Sequence, residues 1–354
     1  MSQAGAQAYL NTRVSMMSTR LFQTGQLAEL AQLSLPELAE RYGLAALLDE
    51  QVSTRAKGRA VEQGLIRLLL SELTILARPM STTERALVMA WARKYALFNL
   101  KTLIRGKLYD LDQKEIRENL YDLPPSVRLS HQELFRAENV LELLRQLEQG
   151  PHALIARQAR EAYEQRGEPF ALEAAIDQRY YAGLARLVMQ FHDANLQPVR
   201  HLVGTLLDRE DIQCLVRFRF SYRLSPSETF YQLVPSSRLL HRERLLELVN
   251  LETLEQVIEA LPPPLNALLA GCGNLIEVQQ HLHHYMTAEA RRILGQSSSG
   301  VARALAYLIL RESQLRSLFS LTQGHLLELP VQFVEIAVGL TDAICPVGTM
   351  AKAA

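Results

Sequence analysis

The chain has 354 residues, and its 38 Lys and Arg residues balance 38 Asp and Glu, giving a formal net charge of zero. That balance excludes a global electrostatic pull toward nucleic acid or an anionic membrane and leaves only local basic faces for either. Nearly half of the residues are apolar, which excludes disorder and allows one large or two ordinary domains, and 65 leucines against 17 Gly and 14 Pro favour helix over strand.

In chain order, Met1 to Phe22 has no apolar core of signal-peptide type and carries Arg13 and Arg20, so no leader is expected. A leucine-rich unit comes next, Glu29-Leu30-Ala31-Gln32-Leu33. A second unit, Ala96 to Leu108, precedes the stop Leu123-Pro124-Pro125. Glu133-Leu134-Phe135-Arg136-Ala137 repeats the first unit. Apolar residues at Val140, Leu143, Leu144 and Leu147 then mark one face of an amphipathic helix, as do Val199, Leu202, Val203, Leu206 and Leu207. Asp211 to Arg219 returns to the second unit before the stop Val234-Pro235-Ser236-Ser237. Glu247-Leu248-Val249-Asn250-Leu251 is a third copy of the first unit, and Pro262-Pro263-Pro264 and Gln296 to Gly300 punctuate the remaining third of the chain. Val301, Leu305, Leu308, Leu315, Leu318 and Leu321 form the last apolar stripe, with Glu312 to Leu326 as the third copy of the second unit.

The copies lie roughly 105 to 115 residues apart, so each repeat is a small multi-helix bundle rather than a solenoid unit. We expect an all-α fold of three pseudo-symmetric bundles: residues 1–126 with an N-terminal helix, 127–236, and 237–354 with a frayed tail after Leu340. No segment alternates apolar and polar residues as a strand would. The strongest membrane-span candidate, residues 329–347, is broken by Glu335, Asp342 and two prolines, which predicts a soluble chain. Cys214, Cys272 and Cys345 are widely spaced with no CxxC pair, which argues against a disulfide framework or thiolate zinc site and for a reducing cytoplasm.

The candidate chemistry is sparse. Gly295-Gln296-Ser297-Ser298-Ser299-Gly300 has the glycine spacing of a phosphate loop, but Val301 and Ala302 stand where Lys and Ser or Thr are required, so it reads as an interhelix linker. His281 and His284 fall one helical turn apart without a third ligand, which favours helix surface or an interface over zinc. Asp211 and Glu312 sit inside apolar stripes, where a carboxylate is costly unless paired. Arg316, four residues after Glu312, is placed to pair with it. Both carboxylates therefore read as buried structural tethers. Arg217-Phe218-Arg219-Phe220-Ser221-Tyr222-Arg223 and Lys101, Arg105 and Lys107 form Arg-rich segments expected on helices, suited to a protein interface more than to nucleic acid. No catalytic constellation, metal site or cofactor motif accompanies them. The two classes these facts leave beside a helical scaffold or adaptor are a helical enzyme and a subunit of a larger assembly.

Three segments together resemble a known family. Asn99-Leu100-Lys101-Thr102-Leu103-Ile104-Arg105-Gly106-Lys107, Ile176-Asp177-Gln178-Arg179-Tyr180-Tyr181, and Leu308-Ile309-Leu310-Arg311-Glu312-Ser313-Gln314-Leu315-Arg316 are similar in order and spacing to the V-type ATPase subunit family known as C in bacteria and archaea and as d in eukaryotes. The chain departs from the family where Cys214-Leu215-Val216 and Ser317 replace an Asn-led run, and where His325 follows Gly324 in place of Lys or Arg. The resemblance implies a non-catalytic, funnel-like rotor subunit on the cytoplasmic face of the membrane, coupling rotor-shaft subunits to the proteolipid ring for ATP-linked ion transport. It implies no cofactor, no nucleic acid and no direct lipid insertion. Lys101, Arg105, Lys107, Arg217, Arg219, Arg223 and Arg316 are the expected partner-interface charges.

Overall fold

The computed structural model describes residues 3–23, 25–128, 136–149, 153–166, 169–190 and 196–340. Every regular element among them is a helix. The long ones are α1 (Gln3–Ser18), α2 (Thr54–Ala77), α3 (Thr82–Leu108), α4 (Ala153–Arg166), α5 (Pro169–Met189), α6 (Gln197–Val216), α7 (Leu275–Gln296) and α8 (Gly300–Leu326), followed by the short α9 (Val331–Ala337). Glu133, Leu134 and Phe135 of the leucine-rich unit, and the tail beyond Leu340 with Cys345, lie outside the described residues.

The helices begin where side chains can satisfy the free N–H groups of a first turn. Ser53 accepts from the Ala56 amide ahead of α2, and Asn274 accepts from the Ile276 and Glu277 amides ahead of α7. Ser81 and Glu84 form a reciprocal capping box at α3. Residues 297–299 link α7 to α8, so the glycine-spaced segment is the interhelix linker that its missing lysine implied.

Short and long helices alternate in a regular rhythm. Gln26–Ala31, Leu35–Tyr42 and Ala45–Asp49 precede α2 and α3; Val140–Leu147 precedes α4 to α6; and Arg242–Val249, Leu254–Ala260 and Leu265–Leu269 precede α7 and α8. A short helix also trails three of the long ones: Gln113–Glu118 after α3, Pro226–Gln232 after α6, and α9 after α8. The first and last of these approach their parent helix through a glycine. A Cβ on Gly106 would lie 2.5 Å from Ile116, and one on Gly324 would lie 2.4 Å from Val334. Any larger residue there would push the trailing helix away.

Two apolar cores result. One gathers residues from Leu10 to Leu207 together with Met286 to Leu321, and the other lies between Ile212 and Leu282. The expected faces are buried as read: Val140, Leu143, Leu144 and Leu147 in one helix, Val199, Leu202, Val203, Leu206 and Leu207 in α6. Helix α8 is packed by α1, α2, α6 and α7, which is why Val301 to Leu310 reads as a nearly unbroken apolar run rather than a stripe. Each fully buried leucine there contributes about 1.5–3 kcal/mol relative to exposure. Glu72 of α2, a residue with no distinguishing pattern in the sequence, pins this arrangement: it accepts from Tyr307 Oη at 2.8 Å and Arg311 Nε at 3.3 Å on α8, and from Arg20 just past α1 at 3.5 Å.

Candidate functional site

Helices α3, α5, α6, α7 and α8 leave between them a cleft of about 520 Å³, closed along one side by residues 336–339 of and after α9. Aligning α3, α6 and α8 on Asn99, Cys214 and Ser317 displays what the three helices contribute to it. Carried two turns upstream, the register pairs Trp91 of α3 with Leu206 of α6 and Ile309 of α8, and all three line the cleft. Lys94, Arg209 and Glu312, one turn further along, line it as well. In both sets the spacings are 115 and 103 residues. Three long helices therefore line one cleft with residues at like spacings.

The charges in this space are paired across helices. Glu312 accepts from Lys94 Nζ at 2.5 Å and from Tyr95 Oη at 2.7 Å, while Arg316, one turn away, stands at 3.6 Å. Burial works to raise the Glu312 pKa, but Lys94, Arg316 and the donated hydrogen bonds prevail and hold it at about 2. Lys94 shows the opposite balance: its own burial lowers its pKa despite Glu312. It also lies over the Trp91 ring, 3.9 Å from the centroid, a favourable place for an ammonium. Arg209 donates through Nε and Nη2 to its neighbour Glu210. His283 Nε2 is 2.9 Å from Ser313 Oγ, and burial, with Arg316 and Arg209 nearby, pushes its pKa down to about 4. The imidazole is neutral at physiological pH.

The cleft is not isolated. A second hollow of about 150 Å³, lined by Glu62, Tyr95, Tyr121, Glu312, Arg316 and Phe319 among others, adjoins it through Glu312 and Arg316. Glu62 and Phe319 in turn line an open groove between α2 and the segment 112–119. One face of α8, from Ile309 to Gln323, thus runs along all three.

The residues anticipated from sequence fall into different settings. Lys101 meets Asp177 at 2.8 Å and Arg105 makes a two-pronged pair with Glu173 at 2.5 and 2.6 Å, tying α3 to α5. With Tyr180 Oη donating to Trp91 O at 2.9 Å, two of the three segments that carry the family resemblance face each other here. Arg219 donates to the Leu224 and Val249 carbonyls and closes a loop. The charged groups of Lys101, Arg105 and Arg219 are therefore engaged inside the chain. Arg217 lines a smaller hollow with Asp211 and Cys214, and Arg223 is exposed at φ 56°. Lys107 lies in the last turn of α3. The segment 217–221 widens from α-helix into a π-helical turn, a departure from the regular helix expected, with Phe218 stacked among Phe170 and Tyr222.

Asp211 is 4% exposed and accepts from the Val234 amide at 2.8 Å, with burial raising its pKa well above the usual range. Asn99 does the same in α3, exchanging 2.8 Å bonds with the Tyr121 backbone. Each long helix so holds the chain just beyond its trailing helix. His283 and His284 both line the cleft, and His283, half-buried and beside Ser313, is the one that the one-turn spacing of His281 and His284 had passed over. Among the described residues, no three His, Cys, Asp or Glu side chains come together as a metal site, and no helix is long and apolar enough to cross a membrane.

Residues 10–335 match the family model described as ATP synthase (C/AC39) subunit. The chain is similar to the C subunit of the A-type ATP synthase of Methanocaldococcus jannaschii, 22% identical over 331 residues, spanning 90% of this chain and 82% of that protein. It is also similar to the corresponding A-type ATP synthase protein of Methanothermobacter thermautotrophicus, 24% identical over 319 residues, spanning 88% and 82%.

Proposed function

This chain belongs to the ATP synthase (C/AC39) subunit family, hence is a non-catalytic subunit of a rotary ATPase, and we propose that it is the rotor coupler seating the central shaft on the proteolipid ring. The observation that carries this reading is the family match over residues 10–335, which leaves a scaffold unrelated to ion pumping without support. In this reading the chain lies on the cytoplasmic face of the membrane, contacts no nucleic acid and inserts nothing into lipid. Its body is a funnel of three bundles, 1–126, 127–236 and 237–354, around the central cleft. The matched positions Trp91, Leu206 and Ile309, and Lys94, Arg209 and Glu312, support that pseudo-threefold arrangement. The hollows strung along α8 support a socket for the shaft.

A torque coupler needs stiffness and a polar seat. Close-packed leucine cores resist deformation, and cross-helix ion pairs hold the walls of the seat in register. No step of ATP chemistry is required of this chain. Its work is mechanical and lies between ATP turnover in the soluble sector and ion movement in the membrane sector. Among the anticipated interface charges, Arg316 faces the socket, whereas Lys107, Arg217 and Arg223 lie away from it and are assigned to outer contacts. The test is a mild-detergent purification of the tagged chain from its host's membranes, with partners identified by mass spectrometry. Proteolipid and shaft subunits recovered at a constant ratio are the expected result. A clean monomer would overturn the coupler reading.

A further inference from the structure

The cleft carries one more cationic side chain than its lining has carboxylates to balance. Its described lining holds three basic side chains, Lys94, Arg209 and Arg316, against two carboxylates, Glu210 and Glu312. Both carboxylates are taken: Glu312 by Lys94 at 2.5 Å and Tyr95 at 2.7 Å, and Glu210 by Arg209. Arg316 reaches Glu312 only at 3.6 Å, and its side chain is 63% exposed. The other titratable groups in and beside the lining do not offset it. His283 and His284 bring no negative charge, and Glu335 on α9 is turned toward Gln32 at 3.5 Å. Burial first, and then Arg316 and Arg209, lower the His283 pKa.

The cleft also has a size. A helix about 10 Å across rises 5.4 Å per turn, so one turn occupies on the order of 400 Å³. The space of about 520 Å³ takes roughly one turn with its side chains. Ser313, Ser317 and Ser320 line the same face of α8 as Arg316 and add hydroxyls beside it. We propose that Arg316 is the receptor for a single carboxylate on the helical tip of a partner polypeptide inserted into this cleft. The proposal rests on the coupler reading and names the chemistry of the shaft residue that the socket recognises. A planar guanidinium with free donors binds a carboxylate in a two-pronged geometry that fixes both distance and rotation. That suits a contact which must transmit torque without slipping. One surplus positive charge matches one carboxylate, and a small dianion would both overcharge the cleft and leave most of it unfilled.

The experiment uses the tagged full chain expressed in its own host and recovered from membranes in mild detergent over a salt ramp, as wild type, Arg316→Lys and Arg316→Glu. The expected result is that wild type retains the rotor-shaft subunits, Arg316→Lys releases them at lower salt, and Arg316→Glu recovers about tenfold less at the salt where wild type still holds. All three should keep the same helix content, with at most a small drop in thermal midpoint for Arg316→Glu, whose new carboxylate lies one turn from Glu312. A wild-type chain that brings down no shaft or proteolipid overturns the coupler reading. A wild type that does, with Arg316→Glu equal to it in recovery and salt tolerance, overturns the carboxylate receptor alone. Stoichiometric binding of inorganic phosphate to the isolated chain by calorimetry, lost in Arg316→Glu, would assign the site to a free anion and overturn the proposal as well.

Discussion

Glu72 and Glu312 invite comparison because their first neighbours are nearly the same. Each is a carboxylate on a long helix, each accepts from a tyrosine hydroxyl, and each is paired with a cation on another helix. Glu72 is 2% exposed and its partner Arg311 on α8 is 10% exposed, so that pair is closed to solvent, while Arg20, 3.5 Å from Glu72, is 59% exposed. Glu312 is 17% exposed and its companion Arg316 is 63% exposed, so that network opens onto the cleft. Burial makes the Glu72–Arg311 pair a fastening between α2 and α8. Each carboxylate also has an exposed second cation, Arg20 at 3.5 Å from Glu72 and Arg316 at 3.6 Å from Glu312. What separates the structural ion pair from the recognition site here is therefore where that second cation faces, because Arg316 lines the cleft.

The largest expected effect comes from breaking the closed network. Glu72→Gln leaves Arg311 buried beside a neutral amide, and removing one partner of a buried pair costs about 3–5 kcal/mol. Urea denaturation should show that loss as a lower midpoint with an unchanged slope. A loss under about 1 kcal/mol would mean that the Glu72 network is not the fastening its burial suggests.

The open pair is worth less. Glu312→Gln should cost about 1–3 kcal/mol. Burial already lowers the Lys94 pKa, so the net value of the pair falls below what the Glu312 shift alone implies. Its pH dependence has a definite sign. The folded pKa of about 2 lies below the ordinary value of 4.5, so the contribution is complete above about pH 4.5 and fades as pH falls toward 2. Denaturation midpoints followed from pH 5 to pH 2 should fall more steeply in wild type than in Glu312→Gln. Parallel curves would show that Glu312 is not held ionised by its neighbours.

Much of this was legible in the sequence. Leucine content and apolar spacing marked the helices because helix burial follows a fixed 3.6-residue period. Aligned on Asn99, Cys214 and Ser317, the cleft-lining positions stand at like spacings in three helices, but choosing those positions takes the coordinates. Lys94 and Arg209 stand outside any pattern local to the helix that carries Glu312. Stripe spacing singles out Glu312 and Asp211 but offers Glu312 only its i, i+4 neighbour Arg316, whereas the strongest partner, Lys94, is 218 residues away. Sequence spacing reports which residues share a helix face and is silent about which helix that face meets. For the same reason Lys101 and Arg105 looked like interface charges, although Asp177 and Glu173 on α5 engage them. Glu72 escaped because a single acidic residue in a leucine-rich helix has no local pattern to betray it.

His283 provides a smaller effect on the open side. Its folded pKa of about 4 lies below the ordinary 6.5, so the folded state excludes a proton that the unfolded chain binds. The stability this preserves is present above pH 6.5 and is lost as pH falls through 4. His283→Gln, which keeps a partner for Ser313, should remove about 1–2 kcal/mol of pH dependence from that window. The slope of stability between pH 6.5 and 4 is the measurement. An unchanged slope would place the proton uptake on another group.

The smallest stability effect is expected at the residue with the largest assigned role. Arg316 pairs with Glu312 at 3.6 Å and is mostly in solvent, so Arg316→Gln should change stability by no more than about 0.5 kcal/mol. It should nevertheless alter the cleft. Arg316 is the first charged group, after burial, that depresses the His283 pKa, so its removal must move that pKa upward toward 6.5. Proton NMR titration of the imidazole reads the change directly, in a protein whose fold the substitution leaves intact. A carboxylate seated on Arg316 would act in the same direction by cancelling its field. The His283 resonance is thus a reporter of occupancy as well as of mutation. If Arg316→Gln left the His283 titration where it was, burial and Arg209 would account for the shift, and the role of Arg316 in the cleft would lose its electrostatic basis.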